Sequence, residues 1–460
     1  MTVISTGSGR IRGEVVDGIH RFRSVPYAAA PEGELRFAKP RPSTWDGERD
    51  ATKPGPIAPQ TVRQLPGLDL GSILGGDHQQ GGDYLTVDVH TPDPSAGGLP
   101  VMVFIHGGAF VYGTGSAAVY DGRAFARRGV VLVTINYRLG IDGFLPLDGG
   151  DTNLGLRDQI AALHWVKDNA AAFGGNPDNI TVFGESAGGM SISCLLGSPL
   201  ARGLFRRAIV ESGHPDMVRT PDNARLLTDG LAARLGVPAT AAAFRTLSTQ
   251  QLQAVQTEII TPGQTLDMRD ANGVDPGVGL APFQPVLGDD VLPTHPRENL
   301  DADVDLIAGS NAEEMRLYYV PSGLLDVITD EQAVAILANS RPDAAEILKR
   351  HGLGERPTGE MFLEAMTDLV FADGARRLVE EHPGRAHRYR FDWRSPLFDG
   401  RLGACHGLEL PFVFDTLASA QGLVGPTPPP ELATEMNAAW ARFAETGDPG
   451  WAAGVVRSFG

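Results

Sequence analysis

Short apolar runs recur along the chain and predict the strands of a buried parallel sheet. They contain β-branched residues and do not alternate with polar positions, and they lie at residues 101–105, 130–135, 181–183, 208–210 and 304–308. A strand that is buried on both faces has this pattern, because helices cover both sides of a parallel sheet. The pattern therefore predicts a central sheet of parallel strands.

Helical periodicity lies between the second and third of these runs. Within residues 158–173 the apolar residues return every three or four positions, at Ile160, Leu163, Val166, Ala170 and Phe173. Strand, helix and strand at this spacing form a βαβ unit, and several units in series build an α/β sheet covered by helices. Residues 387–393 alternate and predict a late strand, whereas residues 222–258 and 330–381 are predicted to be largely helical. We therefore predict one domain over residues 1–460, with the two helical segments as cap-like insertions.

Two segments lack such periodicity. Residues 53–82 are rich in Gly, Pro and Gln, and residues 421–431 are rich in Gly and Pro. Both are predicted to be irregular loops, and neither has the features of a linker between independent domains.

The composition restricts the class of protein. The chain has 460 residues, of which 42% are hydrophobic, so it can bury a large core. A net charge of −17 argues against nucleic acid or an anionic membrane surface as a partner, because both bind basic patches. The N-terminus has no signal-peptide pattern, no apolar stretch reaches the ~20 residues of a membrane span, and the two cysteines are Cys194 and Cys405. These features predict a cytoplasmic protein.

Residues 184–188, Gly-Glu-Ser-Ala-Gly, match the G-x-S-x-G motif of a nucleophilic serine on a sharp strand-to-helix turn. The motif alone is weak evidence in a chain with 57 glycines, but a predicted strand leads into it and a helical segment, residues 187–196, follows it. The glycines are needed because a Cβ would clash across the turn. An ordinary glycine-rich turn is the alternative, and the context favours Ser186 as a nucleophile.

A glycine-rich loop, His106-Gly107-Gly108-Ala109-Phe110, follows the strand predicted at residues 101–105. Such loops place backbone N–H groups beside a nucleophilic serine, where they bind the negative oxygen of the reaction intermediate. Alone, the loop could equally be a simple turn. Together with the serine motif it predicts an oxyanion hole.

A serine nucleophile needs a base, and the base needs a carboxylate that orients it. The chain order in this fold is Ser, then acid, then His, and the histidines beyond the serine are His214, His295, His351, His382, His387 and His406. The loop position of His406, just before an apolar segment, favours it over His351. Glu313 and Glu314 follow a predicted strand, and the local pattern does not choose between them as the acid.

The sequence resembles the type-B carboxylesterases, a family that includes bacterial para-nitrobenzyl esterases, liver carboxylesterases and cholinesterases. The most specific segment is residues 165–189, WVKDNAAAFGGNPDNITVFGESAGG, and the resemblance covers nearly the whole chain. Further matching segments are VPYA at 25–28, HGGAF at 106–110, NYRLG at 136–140, NLGLRDQ at 153–159, ESG at 211–213, GSNAEE at 309–314, HGLELPFVF at 406–414 and FAETGDP at 443–449. The resemblance implies an α/β-hydrolase fold, with a mostly parallel sheet covered by helices and with helical cap insertions.

The resemblance also implies the role of individual residues. It makes Ser186 the nucleophile, His406 the base and Glu314 the acid of a catalytic triad. The implied oxyanion donors, and a serine that supports the acid by hydrogen bonding, are Gly108, Ala109, Ala187 and Ser212.

The chain departs from the family pattern in two places. Met315 stands where the family usually has glycine, next to the implied acid. Residues 82–85, Gly-Asp-Tyr-Leu, replace the usual Glu-Asp-Cys-Leu, so the cysteine of the family's first disulfide is absent. The glutamate expected to pair with Arg36 is absent with it.

The predicted activity is hydrolysis of a small-molecule carboxylic ester through an acyl-enzyme, with no metal or organic cofactor. A non-catalytic binding protein of the same fold is one alternative, although such members typically lack the nucleophile. A hydrolase that prefers amides, carbamates or lipids is the other.

Overall fold

A twelve-stranded sheet crosses the computed structural model, which describes residues 1–61, 65–76, 78–261 and 266–460. Its strands are β1 (Thr2–Thr6), β2 (Gly9–Val16), β3 (Ile19–Pro26), β4 (Glu48–Asp50), β5 (Thr86–Thr91), β6 (Leu99–Ile105), β7 (Val131–Ile135), β8 (Gly175–Glu185), β9 (Arg207–Glu211), β10 (Asp305–Asn311), β11 (Ala386–Phe391) and β12 (Val456–Phe459).

The sheet is antiparallel at one end and parallel over the rest. Its order is β1-β2-β3-β5-β7-β6-β8-β9-β10-β11-β12, with β4 paired to β2. Along this order the pairs from β1 to β7 are antiparallel and every pair from β7 to β12 is parallel, whereas β4 pairs with β2 in the parallel direction. The predicted parallel sheet is confirmed, and each of the five apolar runs forms one of its strands.

Helices cover the sheet and connect its strands. The α-helices of the described residues are α1 (Gly71–Leu74), α2 (Arg123–Arg127), α3 (Gly140–Phe144), α4 (Leu154–Asn169), α5 (Ala187–Gly197), α6 (Pro221–Leu235), α7 (Ala241–Arg245), α8 (Thr249–Ile259), α9 (Arg316–Tyr319), α10 (Asp330–Ala338), α11 (Ala344–Arg350), α12 (Thr358–Thr367), α13 (Asp373–Glu381), α14 (Leu410–Val413), α15 (Gln421–Val424) and α16 (Pro430–Thr446). A π-helical turn, Asp368–Ala372, joins α12 to α13. Short 3₁₀ turns lie at Gly33–Leu35, Ala118–Tyr120, Ala170–Phe173, Pro199–Ala201, Pro296–Asn299, Leu324–Asp326 and Leu417–Ser419.

Both faces of the sheet are buried, as the unalternating strands predicted. Val103 and Ile105 of β6 belong to the core on one face, and Met102 and Phe104 belong to the core on the other. All four side chains are inaccessible to solvent. Burying a side chain of this size stabilises the fold by roughly 1.5–3 kcal/mol, so the central strands hold the sheet rigid beneath its loops.

The irregular segments differ in part from the prediction. Residues 421–431 were expected to be a loop, but α15 occupies the start of this segment and α16 begins at Pro430, because proline is favoured in the first turn of a helix. The segment 53–82 was also expected to be a loop, and within it α1 forms one helical turn. Residues 62–64 and 77 of this segment lie outside the described residues. Among the described helices, none combines the length and apolarity that a membrane crossing requires.

Candidate active site

The predicted nucleophile lies where β8 ends and α5 begins. Ser186 has φ 56° and ψ −123°, a conformation that a residue with a Cβ adopts only under strain, and it is 8% exposed. Its N–H donates to Glu211 O (2.9 Å), which ties the turn to β9. A methyl group on Gly188 would overlap the carbonyl of Ile105 in β6. The glycines therefore let the turn pack directly on the neighbouring strand.

The glycine-rich loop after β6 lies against this turn. A Cβ on Gly107 would lie 2.6 Å from Glu185 Oε2 and 3.1 Å from Ser186 Cβ, so only glycine fits beside the serine. Gly108 and Ala109 both have positive φ, at 107° and 53°. Within the described residues, neither of their N–H groups has a protein acceptor. These two donors are therefore free to bind a ligand oxygen.

Ala187 offers a third backbone donor. It is the first residue of α5, and the N–H groups of a helix's first turn have no partner within the helix. The partial positive charge of the same helix end favours a negative oxygen there. The three implied oxyanion donors thus belong to two segments that meet at Ser186.

Buried side chains hold the glycine-rich loop in place. Gln60 accepts from Gly113 N (2.6 Å) and donates to Gly113 O (3.0 Å). The His106 ring stacks on Tyr137 with centroids 4.5 Å apart, and Tyr137 donates to His106 O (2.8 Å). Burial lowers the pKa of His106 to about 4, so this ring is neutral at pH 7 and adds no charge to the loop.

The structure places His406 against Glu314. His406 Nδ1 lies 2.6 Å from Glu314 Oε2, and Glu314 is inaccessible to solvent. The other carboxylate oxygen accepts from Ser212 Oγ (2.6 Å) and from Asn311 N (2.7 Å). Three donors therefore surround this buried carboxylate, and one of them is the imidazole.

Glu313 faces a different environment. It forms ion pairs with Arg316 (2.8 Å) and with Arg394, and it accepts from Ala404 N (2.9 Å). These contacts fix the loop that carries His406, whereas the imidazole itself contacts Glu314. Adjacent Met315 is buried and donates its N–H to Thr367 Oγ1 (3.3 Å), so the departure from glycine is accommodated.

Two aromatic rings flank His406. The Phe371 ring centroid lies 4.5 Å from that of the imidazole with planes 30° apart, and the Tyr318 ring lies 5.7 Å away. The other imidazole nitrogen, Nε2, is 3.0 Å from Glu185 Oε1. Because Glu185 immediately precedes Ser186, the Nε2 atom of His406 faces the serine turn.

Glu185 belongs to a group of buried carboxyls around the site. Burial, and after it the charges of Glu314 and Glu211, raises the pKa of Glu185 well above its usual range. Burial likewise raises the pKa of Glu409, and it raises that of Glu211 to about 8. Burial therefore favours the protonated form of each of these three carboxyl groups.

The other candidate histidines make contacts elsewhere. His351 pairs with Asp368, His382 contacts Val304 O, and His295 lies 3.7 Å from Asp216. His387 lies in β11 and His214 contacts Val370 O. In the part of the chain that the structure describes, no cluster of three or more His, Cys, Asp or Glu could hold a metal ion.

Several supporting residues were not predicted from the sequence. Gln60 and Phe371 reach the site from distant segments, and the local pattern around each gives no sign of this role. Asn311 lies three residues before Glu314, in a segment that resembles the family, but its bond to the acid was not predicted. Arg36 was expected to lack its partner, yet it forms an ion pair with Asp142 (2.6 Å), so another carboxylate replaces the missing glutamate.

Comparison with known proteins identifies the family. Residues 1–455 match the model of the carboxylesterase family. The chain is 36% identical over 474 residues to para-nitrobenzyl esterase of Bacillus subtilis, and the aligned region covers 97% of this chain and 90% of the relative. It is also 36% identical over 459 residues to phenmedipham hydrolase of Pseudarthrobacter oxydans, with the same shares covered.

Solved structures agree with the sequence comparison. A thermophilic para-nitrobenzyl esterase superposes with a TM-score of 0.84 and 34% identity, covering 98% of this chain and 92% of that one. A carboxylesterase of Geobacillus stearothermophilus superposes with a TM-score of 0.82 at the same identity and the same coverage. The predicted α/β-hydrolase fold is therefore confirmed. The chain belongs to the carboxylesterase family and is a serine carboxylesterase, an enzyme that hydrolyses carboxylic esters.

Proposed function

We propose that Ser186, His406 and Glu314 form the catalytic triad of this esterase. The contact between His406 Nδ1 and the buried Glu314 carboxylate (2.6 Å) carries the proposal. This contact keeps the proton on Nδ1, so that Nε2 is free to accept the proton of a serine hydroxyl. Ser212 supports the acid, because its hydroxyl donates to the oxygen of Glu314 that does not face the imidazole.

The proposed reaction assigns one role to each of these three side chains. Ser186 Oγ attacks the carbonyl carbon of the ester while His406 takes its proton, and the resulting imidazolium is stabilised by Glu314. The alcohol leaves with the proton from His406, and an acyl group remains on Ser186. Water then attacks this acyl-enzyme by the same route, which releases the acid and restores the serine.

The N–H groups of Gly108, Ala109 and Ala187 are the proposed oxyanion hole. Each is a backbone donor in a segment that packs against the serine turn, so the three are preorganised before substrate binds. Each such donor typically contributes about 10²–10³ in rate. They stabilise the intermediate without a metal or an organic cofactor.

The proposed partner is a small-molecule ester. The nucleophile and base are only 8% and 5% exposed, which suits a small acyl group better than a polymer or a lipid surface. The acidic charge argues against nucleic acid. We further propose that residues 1–460 form a single domain with cap insertions at 222–258 and 330–381. Cytoplasmic location is proposed because Cys194 and Cys405 are both free and buried.

A matched substrate pair tests the function. Purified wild type and Ser186→Ala are assayed with p-nitrophenyl butyrate and with the corresponding p-nitroanilide, which differs only in the scissile bond. Circular dichroism establishes that both proteins are folded. We expect the wild type to hydrolyse the ester faster than the amide and the folded variant to hydrolyse neither. Faster hydrolysis of the amide would contradict ester hydrolysis as the main activity.

A further inference from the structure

The π-helical turn, Asp368–Ala372, interrupts an otherwise α-helical segment next to the active site. Asp373 donates its N–H to Asp368 O, five residues back, whereas an α-helix would use the carbonyl four residues back. Such turns are rare in proteins as a whole, but those that do occur are often found at functional sites. The extra residue changes the direction of a side chain. Here the turn carries Phe371, whose ring lies against the His406 imidazole.

His214 anchors this turn from the sheet. It follows β9 and lies two residues beyond Ser212, and its Nε2 is 2.8 Å from Val370 O, the carbonyl that precedes Phe371. Its Nδ1 accepts from Asp216 N (3.2 Å), so the N–H that donates to Val370 O is on Nε2. His214 is 4% exposed.

The charged groups around His214 leave its ring free to hold this bond. Asp216 lies 3.5 Å from Nδ1, but its carboxylate is already bound by Arg297 (2.7 Å) and Arg377. His295 Nε2 lies 3.7 Å from the other oxygen of the same carboxylate. The negative charge of Asp216 is therefore compensated, and His214 acts as a donor to the turn.

Gly374 provides the space for the anchor. It lies in the first turn of α13, and a methyl group on its Cα would overlap the His214 ring. Alanine is otherwise the better helix former by about 1 kcal/mol. Glycine at position 374 therefore leaves the space that the His214 ring needs to reach the turn.

We propose that His214 is a positioning residue for the esterase reaction, which holds Phe371 against His406 through the π-helical turn. Its bond to Val370 O fixes the backbone at the residue before Phe371, and the Phe371 ring then restricts the rotation of the imidazole. The inference rests on the proposed triad, because it assigns His406 as the base. His214 itself touches neither substrate nor reacting atoms.

Substitutions at His214 test the role against a matched control. His214→Leu removes the donor, whereas His214→Gln retains an N–H near the Nε2 position. His382 is the control, because it too is a buried histidine whose Nε2 contacts a backbone carbonyl, Val304 O (2.7 Å). We expect His214→Leu to lower kcat by about 10- to 100-fold, the effect of a slightly misplaced catalytic group, with little change in KM.

The pH profile separates positioning from a structural role. His214→Leu should shift the apparent pKa in kcat/KM, because Phe371 no longer covers the base, and His214→Gln should restore most of kcat. His382→Leu should leave kcat and the profile of the folded protein unchanged. A folded His214→Leu variant with wild-type kcat and profile would overturn the inference, and it would leave the proposed function intact as long as Ser186→Ala is inactive.

A second variant keeps the inference testable if His214→Leu does not fold. Gly374→Ala should displace His214 and lower kcat in the wild-type background. In a His214→Ala background the added methyl group meets no ring, so it should lower kcat no further. Equal losses in both backgrounds would show that Gly374 acts independently of His214, and would overturn the role of the anchor.

Discussion

Replacing Glu314 with glutamine tests how the buried acid controls the protonation of His406. The carboxylate accepts hydrogen bonds through both oxygens, from Ser212 and Asn311 on one side and from His406 on the other. Glutamine has one acceptor oxygen and one donor NH₂ group. If the oxygen keeps the bonds to Ser212 and Asn311, the NH₂ group must face His406 Nδ1.

That orientation reverses the tautomer of the base. An NH₂ donor facing Nδ1 requires Nδ1 to be an acceptor, so the ring proton moves to Nε2, where it blocks proton transfer from Ser186. The opposite orientation leaves the buried N–H of Asn311 facing an NH₂ group, which costs roughly 1–3 kcal/mol, whereas the Ser212 hydroxyl can rotate to accept. The first orientation is therefore favoured, and the variant should fold in an inactive form.

The expected loss of activity is large. An amide in place of the acid of a serine triad lowers kcat by about 10⁴-fold, which corresponds to roughly 5 kcal/mol of transition-state stabilisation. The assay is steady-state hydrolysis of p-nitrophenyl butyrate from pH 6 to 9, with folding followed by circular dichroism.

Glu313→Gln is the matched control for this substitution. Glu313 pairs with Arg316 and Arg394 rather than with His406, so its replacement should change kcat by less than about tenfold. A folded Glu314→Gln variant that retains more than a tenth of wild-type kcat would refute the tautomer argument. Strong loss in Glu313→Gln alone would assign the acid to the neighbouring glutamate.

Three further substitutions test other parts of the account. Gly108→Ala should lower kcat by about 10²–10³-fold, measured with the same ester, because the methyl group would overlap the carbonyl of Tyr112 and displace an oxyanion donor. Asp158→Asn should lower the free energy of unfolding in urea by about 3–5 kcal/mol, since it leaves the buried Arg138 guanidinium without its carboxylate. Glu211→Gln should weaken the pH dependence of thermal stability between pH 5 and 8.

The sign of the Glu211 effect follows from its raised pKa. Between its ordinary value of 4.5 and about 8 the folded protein binds a proton that the unfolded chain has released, so stability falls as pH rises through this window. At ~1.4 kcal/mol per pKa unit this one group accounts for up to about 5 kcal/mol. If stability depends on pH in Glu211→Gln as steeply as in the wild type, this prediction is contradicted. Full activity in Gly108→Ala, or wild-type stability in Asp158→Asn, would contradict the other two predictions.

The fold could be predicted because its signals are local. The apolar runs become strands since any strand covered on both faces must exclude polar side chains, and the serine motif lies between β8 and α5 as its flanking segments indicated. The carboxyl ends of β6, β8, β9 and β10 are adjacent, so the residues that follow them meet at one edge of the sheet. This is where the implied site residues lie, apart from His406, which reaches the same edge from the loop after β11.

The remaining features depend on contacts between distant segments. Glu313 and Glu314 have nearly the same local sequence, and only the packing of the His406 loop distinguishes their surroundings. Asp142 pairs with Arg36 across 106 residues, so the missing glutamate could be noticed but its substitute could not. Phe371 lies within residues 330–381, which the sequence predicts to be largely helical, and its position on His406 depends on a π-helical turn that the sequence pattern does not predict.

Labelling with a fluorophosphonate tests the central claim, that Ser186 is the nucleophile, most directly. The reagent forms a stable bond with an activated serine, and peptide mapping by mass spectrometry locates it. We predict a single label on the peptide that contains Ser186, loss of esterase activity in proportion to labelling, and no label on folded Ser186→Ala. A stoichiometric label on another residue, or a folded Ser186→Ala variant that still hydrolyses p-nitrophenyl butyrate at the wild-type rate, would contradict the account.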